Sequence, residues 1–411
     1  GRNKRNSNRT KKIAAMASLA SLFKDFQAQT TPYPMGLEIV RAKGCYLYDN
    51  NKKKYLDLVA GVSACSLGHR HPAVVRAIKR QLGKYLHVMV YGEFVQKEPV
   101  LLAKLLADHL PQHLNTTYLT NSGTEAIEGA LKLAKRVTGR AEIIAANKAY
   151  HGNTMGAMSV MGYELRKRAY RPLIPGTRFI EFNNHDDLEK ITNQTAAVIL
   201  ETIQGGAGFI LPEKGYLKKV KKRCEAVGAM LILDEIQPGI GRTGKLFAFM
   251  DHDAAPDILV IGKGLGGGLP VGAFIADQKH MAQLKEAPSL GHITTFGGNP
   301  VIAAACRATL QTILKSSLME DTRKKEKLFR DLLVHPKIKA VRGKGLMLAL
   351  IMNDAKTAQT LVKSCINEGV LLFFLLFEPT AVRISPPLTI SEKQIKKACS
   401  TIIKVLNQME C

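Results

Sequence analysis

The sequence predicts an α/β protein with a large domain around a mostly parallel, doubly wound sheet and a smaller α+β domain made from both chain ends. Two patterns favour this fold class. Apolar runs of strand length alternate with amphipathic helical patterns through the middle of the chain, which is typical of a parallel sheet covered by helices. After Asn299 the pattern changes to long helices with few strands. We therefore expect the large domain at residues 65–298 and the smaller one at residues 16–64 and 299–411.

The elements follow in chain order. Three short strands separated by turn residues predict a small antiparallel sheet near the N-terminus, at Leu37–Val40, Gly44–Asp49 and Lys54–Val59. The strands of the large sheet are expected at Thr117–Thr120, Glu142–Ala145, Ala197–Leu200, Met230–Leu233, Ile258–Ile261 and Val271–Ile275. Two helices are well marked, one at Glu125–Val137 and a last one that begins after the N-cap Ser391 and ends near Met409.

The N-terminal segment is interpreted apart from the fold. A basic, polar stretch at Gly1–Lys12 precedes an apolar one at Ile13–Phe23, the order found in signal and transit peptides. The alternative is that Met16 is the true start and that residues 1–15 are upstream sequence, which the first residue, Gly1, favours. We expect residues 1–15 to be a basic leader outside the fold. A cytoplasmic location is expected, with organelle targeting as the alternative.

Composition narrows the class of protein. Lys and Arg number 59 against 34 Asp and Glu, a formal net charge of +25, which raises a nucleic-acid interpretation. Basic clusters such as Lys218–Lys219 lie beside apolar positions at helical spacing without interleaved aromatic residues, so a solvated basic surface is favoured. No apolar run is long enough for a membrane span. The 7 cysteines form no CxxC pair, which argues against a zinc site and indicates a reducing compartment.

Ligands of open α/β sheets bind at the carboxyl ends of the strands, so polar residues there are the candidates. Ser122, Gly123 and Thr124 lie between a strand and a helix. Backbone N–H groups and hydroxyls at a helix start can hold a phosphate, although an ordinary helix cap explains them equally well. Asp234 ends another strand, as in the magnesium-binding strand of nucleotide hydrolases. That interpretation fails because Leu246 occupies the position where the phosphate loop needs Ser or Thr.

A lysine follows the strand at Ile258–Ile261 and is surrounded by glycines. Gly262, Gly264 and Gly267 fit the dinucleotide pattern G-x-G-x-x-G, but a second strand follows instead of a helix. Lys263 is therefore interpreted as a lysine that reacts as a neutral amine and forms a Schiff base. A strand-end lysine that reaches to solvent is the alternative.

Three further residues are candidates for the same ligand site. Glu201 ends a strand, Tyr150 follows one and can stack on a flat ring, and Arg383 stands alone in an apolar segment, where its planar fork suits a carboxylate. A core tyrosine and a structural ion pair are the alternatives. A phosphate cup, a stacking ring, a carboxylate for a ring nitrogen and a Schiff-base lysine are together what pyridoxal phosphate needs. No metal site is expected.

Several ordered motifs identify a family. They are Tyr55-Leu56-Asp57, Leu67-Gly68-His69, Asn121-Ser122-Gly123-Thr124-Glu125-Ala126, Asp234-Glu235-Ile236-Gln237, Lys263-Gly264-Leu265-Gly266-Gly267-Gly268 and Thr295-Phe296-Gly297-Gly298-Asn299-Pro300. From about Tyr46 to the C-terminus the chain resembles the class III pyridoxal-phosphate aminotransferases of fold type I, which include acetylornithine, ornithine and 4-aminobutyrate aminotransferases.

The resemblance implies roles around the cofactor. Lys263 would hold pyridoxal phosphate as a Schiff base and then act as general base and acid. Asp234 would keep the ring nitrogen protonated, and Gln237 would contact the ring hydroxyl. Tyr150 would stack on the ring, with Glu201 near it. The residues implied at the phosphate are Ser122, Gly123, Thr124 and Thr295, the last from the neighbouring subunit of a homodimer.

The resemblance also implies which residues bind the substrate, and two positions of this chain differ there from the family pattern. Arg383 matches the arginine that binds the substrate α-carboxylate, and Thr294 matches a position that touches substrate in some relatives. Asn153 stands where ornithine- and 4-aminobutyrate-type enzymes usually carry arginine, and Gly206 where they often carry glutamate. Both departures weaken the inference of a donor with a distal carboxylate, whereas Val62 fits the acetylornithine-like or 4-aminobutyrate-like subgroup.

The function expected is amino-group transfer from a small amino acid or amine to a 2-oxo acid, with 2-oxoglutarate as acceptor, in two half-reactions. An amine transaminase without a distal-carboxylate requirement is one alternative. A decarboxylase or aminomutase is another, because both use the same lysine, aspartate and phosphate cup. A basic nucleic-acid-binding protein that merely retains the fold is a further alternative, against which Lys263 and Asp234 argue. Neither nucleic acid nor a membrane is expected as a partner.

Overall fold

Three β-sheets organise the part of the chain that the computed structural model describes, residues 18–409. The predicted leader at residues 1–15 lies outside the described residues. The strands are β1 Ile39–Lys43, β2 Tyr46–Asp49, β3 Lys54–Asp57, β4 Thr116–Thr120, β5 Glu142–Ala146, β6 Thr177–Ile180, β7 Thr195–Glu201, β8 Met230–Asp234, β9 Ile258–Gly262, β10 Gly272–Ala276, β11 Ile338–Lys344, β12 Met347–Met352, β13 Val370–Leu371, β14 Phe373–Phe374 and β15 Ala381–Ile384.

The large sheet has seven strands in the order β4-β10-β9-β8-β7-β5-β6. Its pairs are parallel except those of β10, which runs antiparallel to β9 and β4. Only Lys263–Val271 separates β9 from β10, which is too short for the crossover that a parallel pair needs. The predicted mostly parallel sheet is confirmed, including all six predicted strands.

One strand of the large sheet was not predicted from the sequence. β6 lies at the sheet edge and pairs only with β5. Its exposed Arg178 interrupts the apolar run that marks the buried strands. An edge strand tolerates such a residue because one side of it faces solvent, and it therefore lacks the apolar signature.

Of the two smaller sheets, one joins the two ends of the chain and the other is built from C-terminal strands alone. The predicted antiparallel strands β1, β2 and β3 are present, and β13 adds to them, parallel to β3. The third sheet has the order β11-β12-β15-β14. The pairing of β13 with β3 brings the C-terminal part of the chain onto the N-terminal strands. The domain boundaries at residues 64 and 298 stay predictions.

Helices cover the sheets. They are α1 Leu19–Phe26, α2 Pro72–Leu82, α3 Lys97–Ala107, α4 Gly123–Thr138, α5 Met155–Ser159, α6 Tyr216–Val227, α7 Gln278–Met281, α8 Pro300–Leu314, α9 Leu318–Leu332, α10 Ala355–Asn367 and α11 Glu392–Gln408. A short helical turn spans Ala60–Ser63, and 3₁₀ turns include Glu164–Arg166, Arg168–Tyr170 and Lys263–Gly266. Ser391 caps α11 reciprocally with Gln394, as predicted. Within residues 18–409 no helix has the length and apolar character to cross a membrane.

The sheet direction decides where the site lies. β10 is antiparallel to both β4 and β9, so β4, β5, β7, β8 and β9 all point the same way. Their carboxyl ends therefore meet at one edge of the large sheet. Every candidate that the sequence placed at a strand end of this sheet is found along that edge.

Candidate active site

A cavity of about 600 Å³ opens at this edge. Nine of the residues selected from the sequence line it: Ser122, Gly123, Thr124, Tyr150, Asn153, Glu201, Asp234, Gln237 and Lys263. They come from five separate strand ends, which only the sheet topology brings together. The volume suits a cofactor-sized ligand.

The start of α4 forms the anion-binding end of the cavity. Ser122 is its N-cap, and its hydroxyl accepts a hydrogen bond from the Glu125 amide at 3.3 Å. The amides of Gly123 and Thr124 belong to the first turn, where the helix offers no acceptor, and the helix dipole adds positive potential there. The helix start therefore serves both as a cap and as an anion site. Ser122 caps the helix with its side chain, and the amides of Gly123 and Thr124 remain available for an anion.

Asp234, at the end of β8, is held from two sides. One carboxylate oxygen accepts from the Ile236 amide at 2.9 Å, and the other lies 2.8 Å from Nδ1 of His151. His151 is buried, and its Nε2 has no partner among the described residues. The sequence did not assign a role to His151. The only feature of the sequence that could have indicated His151 is its position directly after Tyr150. Its bond to Asp234 could not be predicted, because the two residues are 83 positions apart in the chain.

Glu201 lies beside Asp234 on the neighbouring strand. Its carboxylate accepts from the amides of Tyr150 at 3.2 Å and Gly205 at 3.0 Å. Burial raises the pKa of Glu201 to about 7, and the neighbouring Asp234 charge adds to the rise. Glu201 therefore titrates near neutral pH and can be present without a full negative charge.

Lys263 follows β9 with a backbone φ of 37°, in the left-handed region that a side chain rarely adopts. Burial, with help from the positive charge of Arg383, lowers the pKa of Lys263 to about 8. Its Nζ lies 3.5 Å from Oε1 of Gln237. A lysine with this pKa is partly a neutral amine at physiological pH, which a nucleophile requires.

Three predicted residues do not line the cavity. Arg383 lies on β15, is buried, and its Nε and Nη1 have no partner among the described residues. Burial lowers the pKa of Arg383 to about 10, so it remains charged. Thr294 accepts a hydrogen bond from the Asn121 side chain at 3.0 Å. Thr295 is exposed.

The donors and charges of the cavity fit pyridoxal phosphate. The helix start suits a phosphate, and Asp234 suits a protonated ring nitrogen. The buried Nε2 of Gln237 has no acceptor among the described residues, so it is available for a ring oxygen. Within residues 18–409 no group of three or more His, Cys, Asp or Glu could hold a metal ion.

Known proteins resemble this chain over most of its length. The family model for class-III aminotransferases matches residues 27–406. The acetylornithine aminotransferases of Methanopyrus kandleri and Streptomyces coelicolor are 38% and 37% identical to this chain, each over 90% of it, and the matches cover 94% and 91% of those proteins. A solved ornithine aminotransferase from Toxoplasma gondii, described as having pyridoxal phosphate at its active site, superposes with a TM-score of 0.88 at 30% identity, covering 97% of this chain and 96% of that one.

The fold and the cavity thus define a pyridoxal-phosphate enzyme of fold type I. The chain belongs to the class-III aminotransferases. Its reaction is therefore amino-group transfer between small amino and oxo compounds, and its cofactor is pyridoxal phosphate.

Proposed function

We propose that this protein transfers the amino group of N-acetylornithine, or a similar ω-amino acid, to 2-oxoglutarate in two successive half-reactions. The observation that carries the proposal is the lowered pKa of Lys263, to about 8, inside a cavity with a phosphate-binding helix start and Asp234. The relatives from Methanopyrus kandleri and Streptomyces coelicolor, both described as acetylornithine aminotransferases, support this choice of donor.

Lys263 and Asp234 are the proposed catalytic residues. Lys263 would hold the cofactor through its neutral amine and would then move the proton of the reacting substrate carbon. Asp234, oriented by its bond to His151, pairs with the ring nitrogen and keeps it protonated. When bound, the cofactor supplies an acceptor for the electrons released at that carbon.

The remaining cavity residues position the ligands. Gly123 and Thr124, with Ser122 capping their helix, would hold the phosphate, and Gln237 would donate to the ring hydroxyl through its unpartnered Nε2. Tyr150 would stack on the ring, and Glu201 fixes its backbone by accepting from the Tyr150 amide at 3.2 Å.

The proposed carboxylate site next to the reacting carbon is Arg383. Its buried, unpartnered N–H groups would leave an uncompensated charge unless an anion binds there. Thr294 lies near the cup through its bond to Asn121 and is the proposed substrate-side hydroxyl.

A homodimer is proposed, in which Thr295 reaches the phosphate of the partner subunit. The exposure of Thr295, away from the cavity of its own chain, supports this arrangement.

The pairing of β13 with β3 supports a smaller domain at residues 16–64 and 299–411 next to a large one at residues 65–298. The free thiols of the 6 described cysteines support the cytoplasm as the location.

A second candidate is an amine transaminase that needs no distal carboxylate on its donor. Asn153, which lines the cavity where related enzymes usually carry arginine, favours it. The loss of a bidentate cation costs several kcal/mol of binding if a substrate carboxylate met it, about two powers of ten or more in affinity.

The test follows the visible absorbance of the holoenzyme while single donors are added: acetylornithine, ornithine, 4-aminobutyrate, glutamate and a plain amine. Bleaching by acetylornithine, with recovery on addition of 2-oxoglutarate, is the expected result. Bleaching only by glutamate and the plain amine would favour the second candidate. Release of carbon dioxide, or migration of the amine within one molecule, would replace aminotransfer by a decarboxylase or aminomutase.

A further inference from the structure

A cluster of three aromatic rings and one arginine borders the cavity, beyond the residues assigned to the cofactor. It consists of Tyr150, Tyr163, Arg166 and Phe377, here called the rim cluster. The ring of Phe377 stacks on Tyr163 with centroids 4.5 Å apart and planes 17° apart, and its centroid lies 6.5 Å from that of Tyr150. Tyr150 lines the cavity, so the cluster lies directly at its edge.

The glycine at position 206 makes room for this cluster. A Cβ atom on Gly206 would come within 2.9 Å of Phe377 Cδ2, closer than carbon atoms pack. The Phe377 amide also donates to the Gly206 carbonyl at 2.9 Å. Any larger side chain at position 206 would displace the ring. The observed position of Phe377 therefore depends on the absence of a side chain at Gly206.

Arg166 is held in a fixed orientation by the same cluster. Its guanidinium carbon lies 5.7 Å from the centre of the Phe377 ring, and its Nη2 donates to the Leu376 carbonyl at 3.1 Å. Among the described residues no carboxylate pairs with it. One N–H group is therefore used and the rest of the fork remains open to a ligand.

The charge of Arg166 also reaches the cavity. Burial raises the pKa of Tyr150, and the positive charge of Arg166 acts against this rise. The Tyr150 hydroxyl accepts from Asn153 Nδ2 at 3.2 Å. Tyr150 thus lies between the two residues in the chain of contacts: Asn153 bonds its hydroxyl, and Arg166 packs on Phe377, the neighbouring ring. Arg166 supplies the rim cluster with a positive charge, which Asn153 lacks.

We propose that Arg166 binds the distal carboxylate of the amino donor, with Phe377 and Tyr163 as the apolar wall along which the carbon chain lies. The proposal rests on the proposed aminotransferase function and adds to it the residue that selects donors whose free carboxylate is several bonds from the reacting amine. The two cations then serve different substrates: Arg166 the distal carboxylate of the donor, and Arg383 the carboxylate next to the reacting carbon of the 2-oxo acid.

The test uses the holoenzyme and pairs of ligands that differ only in the carboxylate. Binding is measured by calorimetry with N-acetylnorvaline, which is acetylornithine without its amine, and with N-butylacetamide, which also lacks the carboxylate. Turnover is measured with acetylornithine and N-acetylputrescine. The variants are Arg166→Gln and Arg166→Lys, and Arg168→Gln is the matched control, because Arg168 is exposed and its loss changes the net charge equally.

Arg166→Gln should weaken N-acetylnorvaline by about 10- to 100-fold and raise KM for acetylornithine similarly, the usual effect of losing a charged hydrogen-bond partner. Arg166→Lys should fall between wild type and Arg166→Gln, because it keeps the charge but not the fork. N-butylacetamide, N-acetylputrescine and Arg168→Gln should show changes of about twofold or less.

Two results would overturn the assignment of Arg166. One is equal binding of N-acetylnorvaline by wild type and Arg166→Gln, and the other is a wild type that binds N-acetylnorvaline no better than N-butylacetamide. A wild type that transfers no amino group from any donor would instead refute the proposed function. The calorimetric comparison does not depend on turnover, so the two failures are distinguishable.

Discussion

The pKa of Lys263 predicts how fast the apoprotein takes up its cofactor at each pH. Attachment requires the neutral amine. Burial and Arg383 lower the pKa of Lys263 from 10.5 to about 8, so at pH 7 about one molecule in ten carries the neutral amine. An ordinary lysine would be neutral in about one molecule in 3,000, so the cavity increases the reactive fraction by roughly 300-fold.

The assay mixes apoprotein with excess pyridoxal phosphate between pH 6 and pH 10 and follows the visible absorbance. The attachment rate should rise about tenfold per pH unit below pH 8, because the ammonium form is unreactive, and level off above it. Lys263→Ala should show no attachment while keeping its fold by circular dichroism. A rate that still climbs tenfold per unit between pH 9 and pH 10 would show that Lys263 has an ordinary pKa and would refute the reasoning.

Two further predictions concern the rest of the cavity. Asp234→Asn should lower kcat by about 100-fold or more, because an amide carries no charge to pair with the ring nitrogen or with His151, whose Nδ1 lies 2.8 Å from the Asp234 carboxylate. Steady-state kinetics measures this change. A kcat within about threefold of wild type would contradict the role of Asp234. Gly152→Ala should lower the free energy of unfolding by about 1–3 kcal/mol and weaken cofactor retention, because φ is 132° there and a Cβ would lie 2.2 Å from Thr124 Oγ1. Urea unfolding measures the stability, and equilibrium dialysis measures cofactor retention. Cofactor retention equal to that of wild type would show that Thr124 does not help to hold the cofactor.

Much of the cavity could be predicted from the sequence because its chemistry lies at strand ends. A buried parallel strand is a continuous apolar run, so the first polar residue after it is conspicuous, as Asp234 and Lys263 are. The helix start at Ser122–Thr124 is equally local, since a cap needs only neighbouring residues. These residues required no knowledge of which strands are neighbours.

The tertiary structure decided which of these local features meet. The sequence could not predict that His151 bonds Asp234, that β13 pairs with β3, or that Gly206 leaves room for Phe377, because each joins segments far apart in the chain. Arg166 has no local signal at all: an exposed arginine in a short turn looks like any solvated cation. Its orientation comes from the Phe377 ring and the Leu376 carbonyl, more than 200 residues away. Helix caps and strand ends depend on neighbouring residues and can be predicted from the sequence. Contacts between distant residues form only when the chain packs, so they require the tertiary structure.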